Sequence, residues 1–422
     1  MNRRHINRRG LLASMAAAAF NGLAIGGPQA QPGQILDPWT PGQLDIHHLA
    51  IGRGNATLVI LPDGTSLLID AGAILSDTEV TVATKPSVER RAGEWIARYV
   101  LRHLAATGRP GLDFLLVTHM HPDHLGDVRP TSPASARGPY RLTGVMDVAE
   151  AMPIDRIIDR GYPDYLPRTG IEQADFFRNY RAFIDWRVNH GGRVERMEVG
   201  GVRQIAGKGY FPVSAPFGVR NVAANGRVWT GTADAAVARF PDLASLPESD
   251  RPTENMCSAA VRVSSGPFSY FTGGDLTNEG LSGEMPWRDV LTAAARAAGP
   301  VDVATADHHG LFDAVNADVA RALRPQAWVV QAWHVSHPSP QQLDYMLSER
   351  LYAGERHVYS TNLMRENSLV NRRLTQKMRS QDGHVIVRVA PGGQSFRVYV
   401  TDNADESDRV KLVSEPLQSR GR

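Results

Sequence analysis

Thr118-His119-Met120-His121-Pro122-Asp123-His124 places three of the chain's 14 histidines and one aspartate in a single short stretch. It follows Phe114-Leu115-Leu116-Val117, a continuous apolar run that reads as a buried strand, so the polar cluster emerges where the strand ends. Side chains two apart on an extended segment point the same way. His119 and His121 are therefore placed to grip one ion, while Pro122 turns the chain and carries Asp123 and His124 towards a second. Neutral imidazole together with carboxylate oxygen suits Zn²⁺, with Mn²⁺ or Fe²⁺ as further candidates. The plainer reading is a histidine-rich surface loop. A strand end is also where loops carry chemistry, and the density of ligand types favours a metal centre.

With 422 residues, 42% of them hydrophobic, the chain has ample material for a packed core. The formal charge of +2 is carried by Arg3, Arg4, Arg8 and Arg9; without the first 30 residues, 42 basic face 44 acidic side chains. A globally basic nucleic-acid binder is excluded, and any grip on nucleic acid has to be local. Residues 1–30 read as an export signal: arginine pairs precede the alanine-rich run Leu11 to Gly27, and Pro28-Gln29-Ala30 offers a cleavage site. Asn7-Arg8-Arg9-Gly10-Leu11-Leu12 is similar to a twin-arginine signal, which implies the twin-arginine export machinery as a partner and a periplasmic or extracellular destination. The run is too short and too polar at Asn21 and Gly22 for a stable membrane span. Cys257 is the single cysteine, so there is no intrachain disulfide.

Residues 31–43 read as a linker. A hydrolase-like domain is expected over 44–400, with an insertion near 130–254 whose later part, 213–254, borders the cleft; 401–422 reads as a disordered tail. Strands are expected at Leu44 to Ile51, Ala56 to Leu61, Ser66 to Ile69, Ala259 to Val263, Phe268 to Phe271, Val301 to Thr305, Ala327 to Val330, Val385 to Val389 and Phe396 to Val400. Helices are expected from about Ser87 to Ala106, Ile171 to Val188 and Gln341 to Ala353. Arg90, Arg91, Arg98 and Arg102 read as a solvated face of the first helix. His47 and His48, at adjacent strand positions, are taken as structural with at most one pointing inwards. His190 is taken as a turn residue.

The His-x-His-x-Asp-His pattern after a buried strand resembles the signature of the metallo-β-lactamase superfamily. Further features resemble the hydrolase domain of ComEC-type competence proteins: Ile51-Gly52-Arg53-Gly54-Asn55, Asn255-Met256-Cys257-Ser258, Gly273-Gly274-Asp275, His308-His309-Gly310 and His337-Pro338. The resemblance implies an α/β fold, a four-layer αββα sandwich. It implies metal ligation by His119, His121, Asp123, His124, Asp275 and either His308 or His309, with Asp275 bridging two ions and Asp70 supporting the loop from behind. It also implies hydrolysis by a dinuclear-metal-activated water, on a phosphodiester in the ComEC-like reading. A small lactam, lactone or thioester, or a non-catalytic binding protein on the same fold, are the alternatives. Asp123 and Asp275 are placed as the catalytic carboxylates, and His337, with His334 beside it, as the group that protonates the leaving group or hydrogen-bonds a phosphate oxygen, against the plainer reading of a turn before Ser339-Pro340. The chain departs from the pattern at Arg53 and Asn55. It also lacks the third histidine expected for the first ion, where Glu254, Asn255, Cys257 and Ser258 stand. Cys257 is read as a buried small hydrophobe more readily than as a ligand.

Overall fold

The structure, a computed structural model, describes residues 30–278 and 283–421. The export signal read in residues 1–30 lies, Ala30 apart, outside the described residues. Among the described residues no helix is long and apolar enough to cross a membrane.

The chain builds one sheet, then a second, and returns to close the first. The opening strands are β1 (Leu44–His48), β2 (Thr57–Ile60), β3 (Ser66–Ile69), β4 (Leu112–Val117), β5 (Ile154–Asp159) and β6 (Arg193–Arg196). The second sheet takes β7 (Phe217–Ala224), β8 (Arg227–Trp229), β9 (Ala236–Ala238), β10 (Ala260–Ser265), β11 (Phe268–Thr272), β12 (Val303–Thr305), β13 (Ala327–Val330) and β14 (His357–Ser360). Four last strands, β15 (His384–Val389), β16 (Ser395–Thr401), β17 (Val410–Val413) and β18 (Leu417–Gln418), rejoin the first sheet. Its order is β17-β16-β15-β1-β2-β3-β4-β5-β6, with β18 against β16; the second runs β14-β13-β12-β11-β10-β7-β8-β9. Both sheets change from antiparallel to parallel pairing part-way across, at β3/β4 and at β11/β12. The motif loops leave the carboxyl ends of β3, β4, β11 and β12, next to these changes, where open α/β sheets place their crevices.

Four layers follow from strand alternation. Phe114 and Leu116 of β4 face inwards and share a core with Val261, Tyr270, Val303 and Val329 of the other sheet. Leu115 and Val117, one residue out of phase, pack instead on the helices α1 (Ala92–Leu104), α3 (Gly144–Ala151) and α4 (Asp175–Asn189), which follow and precede the short helix α2 (Pro122–Leu125). Trp328 and Val330 do the same on the far side, against α5 (Val290–Ala298), α6 (Ala317–Leu323) and α7 (Pro340–Leu347). The architecture is an αββα sandwich. Strands buried on both faces appear as unbroken apolar runs, which is why β4 and β13 were legible.

Several expectations are corrected. The segment 31–43 is not a free linker: Ala30 and Leu36 pack with Ile386, Tyr399 and Val410, and Ile35 bridges to Arg409. Residues 130–254 are not an appended insertion, because β5 and β6 extend the first sheet and β7 lies inside the second. The tail 401–422 is ordered as far as 421, since its carboxylates pair with arginines far away in sequence. Arg98 binds Glu406 at 2.6 Å and Arg102 binds Asp408 at 2.7 Å. Those two arginines of α1 are therefore not simply a solvated face. Both His47 and His48 are buried: His47 meets Tyr99 of α1 and His48 meets Tyr270 of the second sheet, each at 3.0 Å, because both faces of β1 are covered.

Candidate metal centre

Asp70, at the end of β3, has φ +61, a conformation that a short polar side chain tolerates better than most. Its carboxylate accepts the Thr118 N–H and hydroxyl, both at 2.7 Å, and His124 Nδ1 lies 2.7 Å away. The ring is thereby oriented with Nε2 towards the centre, the support that metal-bound histidines characteristically receive. Burial raises the Asp70 pKa against the opposing pull of His124 and Thr118.

The backbone of the cluster is held by close approaches. Asn55 N–H donates to Asp123 O at 2.8 Å, and a Cβ on Gly72 would sit 1.9 Å from that same oxygen, so only glycine fits there. On the opposite side, a Cβ on Gly274 (φ +59) would come within 2.7 Å of Thr118 Oγ1. These contacts join β3, β4 and β11 at one point.

Asp275 is the hub. Its carboxylate lies 3.1 Å from His124 Nε2, 3.5 Å from His309 Nε2, 3.7 Å from His119 Nε2 and 3.9 Å from His308 Nε2. Burial alone would raise its pKa, but the imidazoles, His124 foremost, hold it well below the carboxylate range. Conversely, burial lowers His124, yet Asp275, Asp123 and Asp70 together carry it well above the ordinary value. A pocket that concentrates negative charge in this way attracts a cation.

Asp123, His124, Asp275 and His309 each offer one ligand atom, and all four atoms lie within 4.8 Å of one another in the interior. His124 Nε2 and Asp275 Oδ1 face each other at 3.1 Å in the interior and neither makes a hydrogen bond to any further group, an arrangement that suits ligands aimed at an ion. Two nitrogens and two oxygens fit a first-row divalent ion. This buried His/Asp cluster can bind metal.

His119 and His121 stand beside this set, with His119 Nε2 3.1 Å from His121 Nδ1. Both consecutive histidines of the late motif approach the centre, because His308 (φ +47) and His309 (φ +55) are both left-handed and splay their rings, 6.1 Å apart. Two such residues in a row are strained, and strain of this kind collects at functional sites. His309 Nε2 reaches Asp123 at 2.9 Å, while its Nδ1 is 3.0 Å from Gln331 O. His308 instead has Nδ1 2.7 Å from Asp313 and Nε2 3.1 Å from Asn255 Nδ2.

Of the residues standing where the third histidine was expected, Asn255 is the one that reaches the centre, and its Oδ1 is buried without a partner. Glu254 is committed elsewhere. It forms a buried pair with Arg160 at 2.5 and 2.6 Å and accepts Met120 N–H at 2.8 Å, clamping the histidine loop from behind. Ser258 Oγ accepts the Asp275 N–H at 3.2 Å. Cys257 lies outside the four-residue ligand set, its thiol pushed up to about 12 by burial, as a small hydrophobe rather than a ligand. His337, beside the centre, stacks on His309 at 4.5 Å and is 2% exposed, and burial foremost lowers its pKa well below the ordinary value. Trp333, which sequence reasoning missed, directs its indole N–H to His309 Nε2 at 3.3 Å.

Fold and centre together define an αββα protein with a buried His/Asp cluster at the strand ends. No protein-family model matches the chain, and no curated protein matches it. Among solved structures it is similar to a variant of the CmlA β-hydroxylase (13% identity, TM-score 0.38), covering 83% of this chain and 54% of that one. It thus spans about half the length of that protein. It is also similar to the metallo-β-lactamase fold protein YhfI from Bacillus subtilis (11% identity, TM-score 0.29; 83% and 97% covered). A third similar structure is a diphosphatase from the PhnP family (12% identity, TM-score 0.31; 82% and 97% covered).

Proposed function

We propose that the protein is an exported, metal-dependent hydrolase acting on a phosphodiester. The observation that carries the reading is the convergence of four buried ligand atoms, one each from Asp123, His124, Asp275 and His309, beside a cleft lined by His121 and Asn255. An ion held there supplies an activated water and a Lewis acid. Asp123, His124, His309 and Asp275 hold one ion; His119, His121, His308 and Asp275 hold a second, with His308 in the part of the missing third histidine. Zn²⁺ is the preferred ion, with Mn²⁺ or Fe²⁺ as alternatives. Asp70, Asp313 and Gln331 O orient the three supported imidazoles so that Nε2 faces inwards. The preference for a phosphodiester rests on the ComEC-like residues Asn255, Ser258 and His308-His309-Gly310.

Purified protein should contain up to two divalent ions and cleave bis(4-nitrophenyl) phosphate in preference to a chromogenic lactam. Asp275→Asn should cut turnover at least ~100-fold with a smaller effect on affinity, the scale of removing one element of a preorganised electrostatic site. Near-normal turnover in that variant puts the active site elsewhere. Export is tested by Arg8→Lys with Arg9→Lys, which should retain the protein in the cytoplasm; undiminished export of the double variant assigns it to the general secretory route.

A further inference from the structure

Two cavities meet at one pair of arginines. The first, about 490 Å³, is lined by His121, Asn255 and Asp313 of the centre and also by Arg168 and Arg251. The second, about 510 Å³, shares Arg168 and Arg251 with it but contains no residue of the centre. The two arginine side chains therefore border both the reacting end of the cleft and the second cavity. Neither has a hydrogen-bond or ion-pair partner among the described residues, whereas Arg91, Arg98, Arg102, Arg160 and Arg388 all bind carboxylates.

Charge and polarity divide between the cavities. The carboxylates Glu172, Glu248, Glu254 and Asp313 line the first cavity only; Glu254 is paired with Arg160, and Asp313 meets His308. The second is lined by Leu166, Pro167, Phe240 and Leu243, and its charged groups are the two arginines alone. A guanidinium is a planar fork suited to phosphate, sulfonate or carboxylate oxygens. Apolar walls behind such a pair suit a hydrophobic group attached to the anion.

We propose that the substrate carries a second anionic group, remote from the bond that is cut and joined to an apolar portion. Arg168 and Arg251 bind the anion, and the apolar portion fills the second cavity. The inference deepens the proposed function, resting on it only in taking the metal cluster as the reacting end. It makes the substrate a small amphipathic anion rather than a polymer read along a basic groove.

The test is equilibrium binding of naphthalene-1-sulfonate to the metal-loaded protein, followed by fluorescence, with neutral 1-naphthalenemethanol as comparison. The sulfonate should bind more tightly than the alcohol. The double variant Arg168→Ala with Arg251→Ala should weaken the sulfonate about tenfold or more and leave the alcohol unchanged, since both side chains are solvent-exposed and their pairing with an anion is partly screened. Lysine at both positions should restore part of the loss, and Leu243→Ser should weaken both ligands. Arg373→Ala, at the surface elsewhere, should change neither. Equal sulfonate binding by wild type and the double variant, or equal affinity for sulfonate and alcohol, overturns the proposal. If this pattern holds while no phosphodiester is turned over, the hydrolase reading fails and the anion subsite stands. If a phosphodiester is cleaved but sulfonate binding ignores the arginines, the subsite fails alone.

Discussion

Asp275 faces four imidazoles, and two of them belong to the consecutive residues His308 and His309, whose left-handed backbones send their rings to different sides. Substitution should separate their contributions. His309→Ala should remove the ion shared by Asp123 and His124, and His308→Ala should remove the other, so that elemental analysis finds about one equivalent lost in each variant. A His308→Ala protein that keeps its full metal content leaves His308 as a hydrogen-bond partner of Asn255 and Asp313 rather than a ligand. The ligand types and Asp275 were legible in the sequence because each sits in a short local pattern at a strand end. The supports were not. Arg160 and Glu254 are 94 positions apart, and Gln331 reaches His309 only once β13 lies beside β12; no local pattern announces either contact. The stacking of His337 on His309 was hidden for the same reason, since the spacing of His337 to Pro338 says nothing of a ring 28 positions earlier.

Strands with both faces covered were the most legible elements, and their observed ends lie within a few residues of the apolar runs. Helix α1 starts later than its periodicity suggests, at Ala92, because the Arg91 N–H is capped by Glu94 Oε2 at 2.9 Å; it ends where Gly108 takes φ +69 after one tighter turn. The last two strands, β17 and β18, were the least legible. A polar composition argued for disorder, yet Val410 and Leu417 are buried and Glu406 and Asp408 meet arginines of α1. The ion pairs are partly exposed and contribute at most about 1 kcal/mol each, so the strands carry most of the stability of this segment. Ending the chain after Thr401 removes β17 and β18 and uncovers Tyr399, Phe396 and the inner face that Leu417 covers. The melting temperature should fall by at least ~5 °C, the scale of losing a few kcal/mol from a domain this large. Arg102→Ala, in contrast, should shift it little. An unchanged melting temperature in the truncated chain means that the segment rests on the sheet without stabilising it.

At the scale of the molecule, covering both faces of the first sheet traps imidazoles that the metal centre does not use. His47, His103 and His384 cluster around Tyr99 between β1, β15 and α1, with ring centroids 4.3 to 4.5 Å apart along His47–His103–Tyr99–His384. Asp45, Arg388, Arg102 and Asp408 surround them, and His48 lies on the other face of β1. Burial foremost pulls His48 and His103 from 6.5 to about 4 and His384 to about 3. These groups stay neutral in the fold but take up protons when the chain unfolds, so the unfolded state binds more protons below pH 6.5 and stability falls as pH drops from there towards 4. A displacement of that size corresponds to on the order of 3 kcal/mol for one fully buried imidazole. Acid also strips metal from histidine ligands over the same range, so denaturant midpoints should be measured with and without chelator. The midpoint of the metal-free protein should still fall steeply between pH 6.5 and 4, and His103→Gln should flatten that slope by removing one titrating group, whatever it does to stability at pH 7.5. A metal-free protein whose midpoint is level across that range would mean that these imidazoles are protonated as readily in the fold as in the unfolded chain.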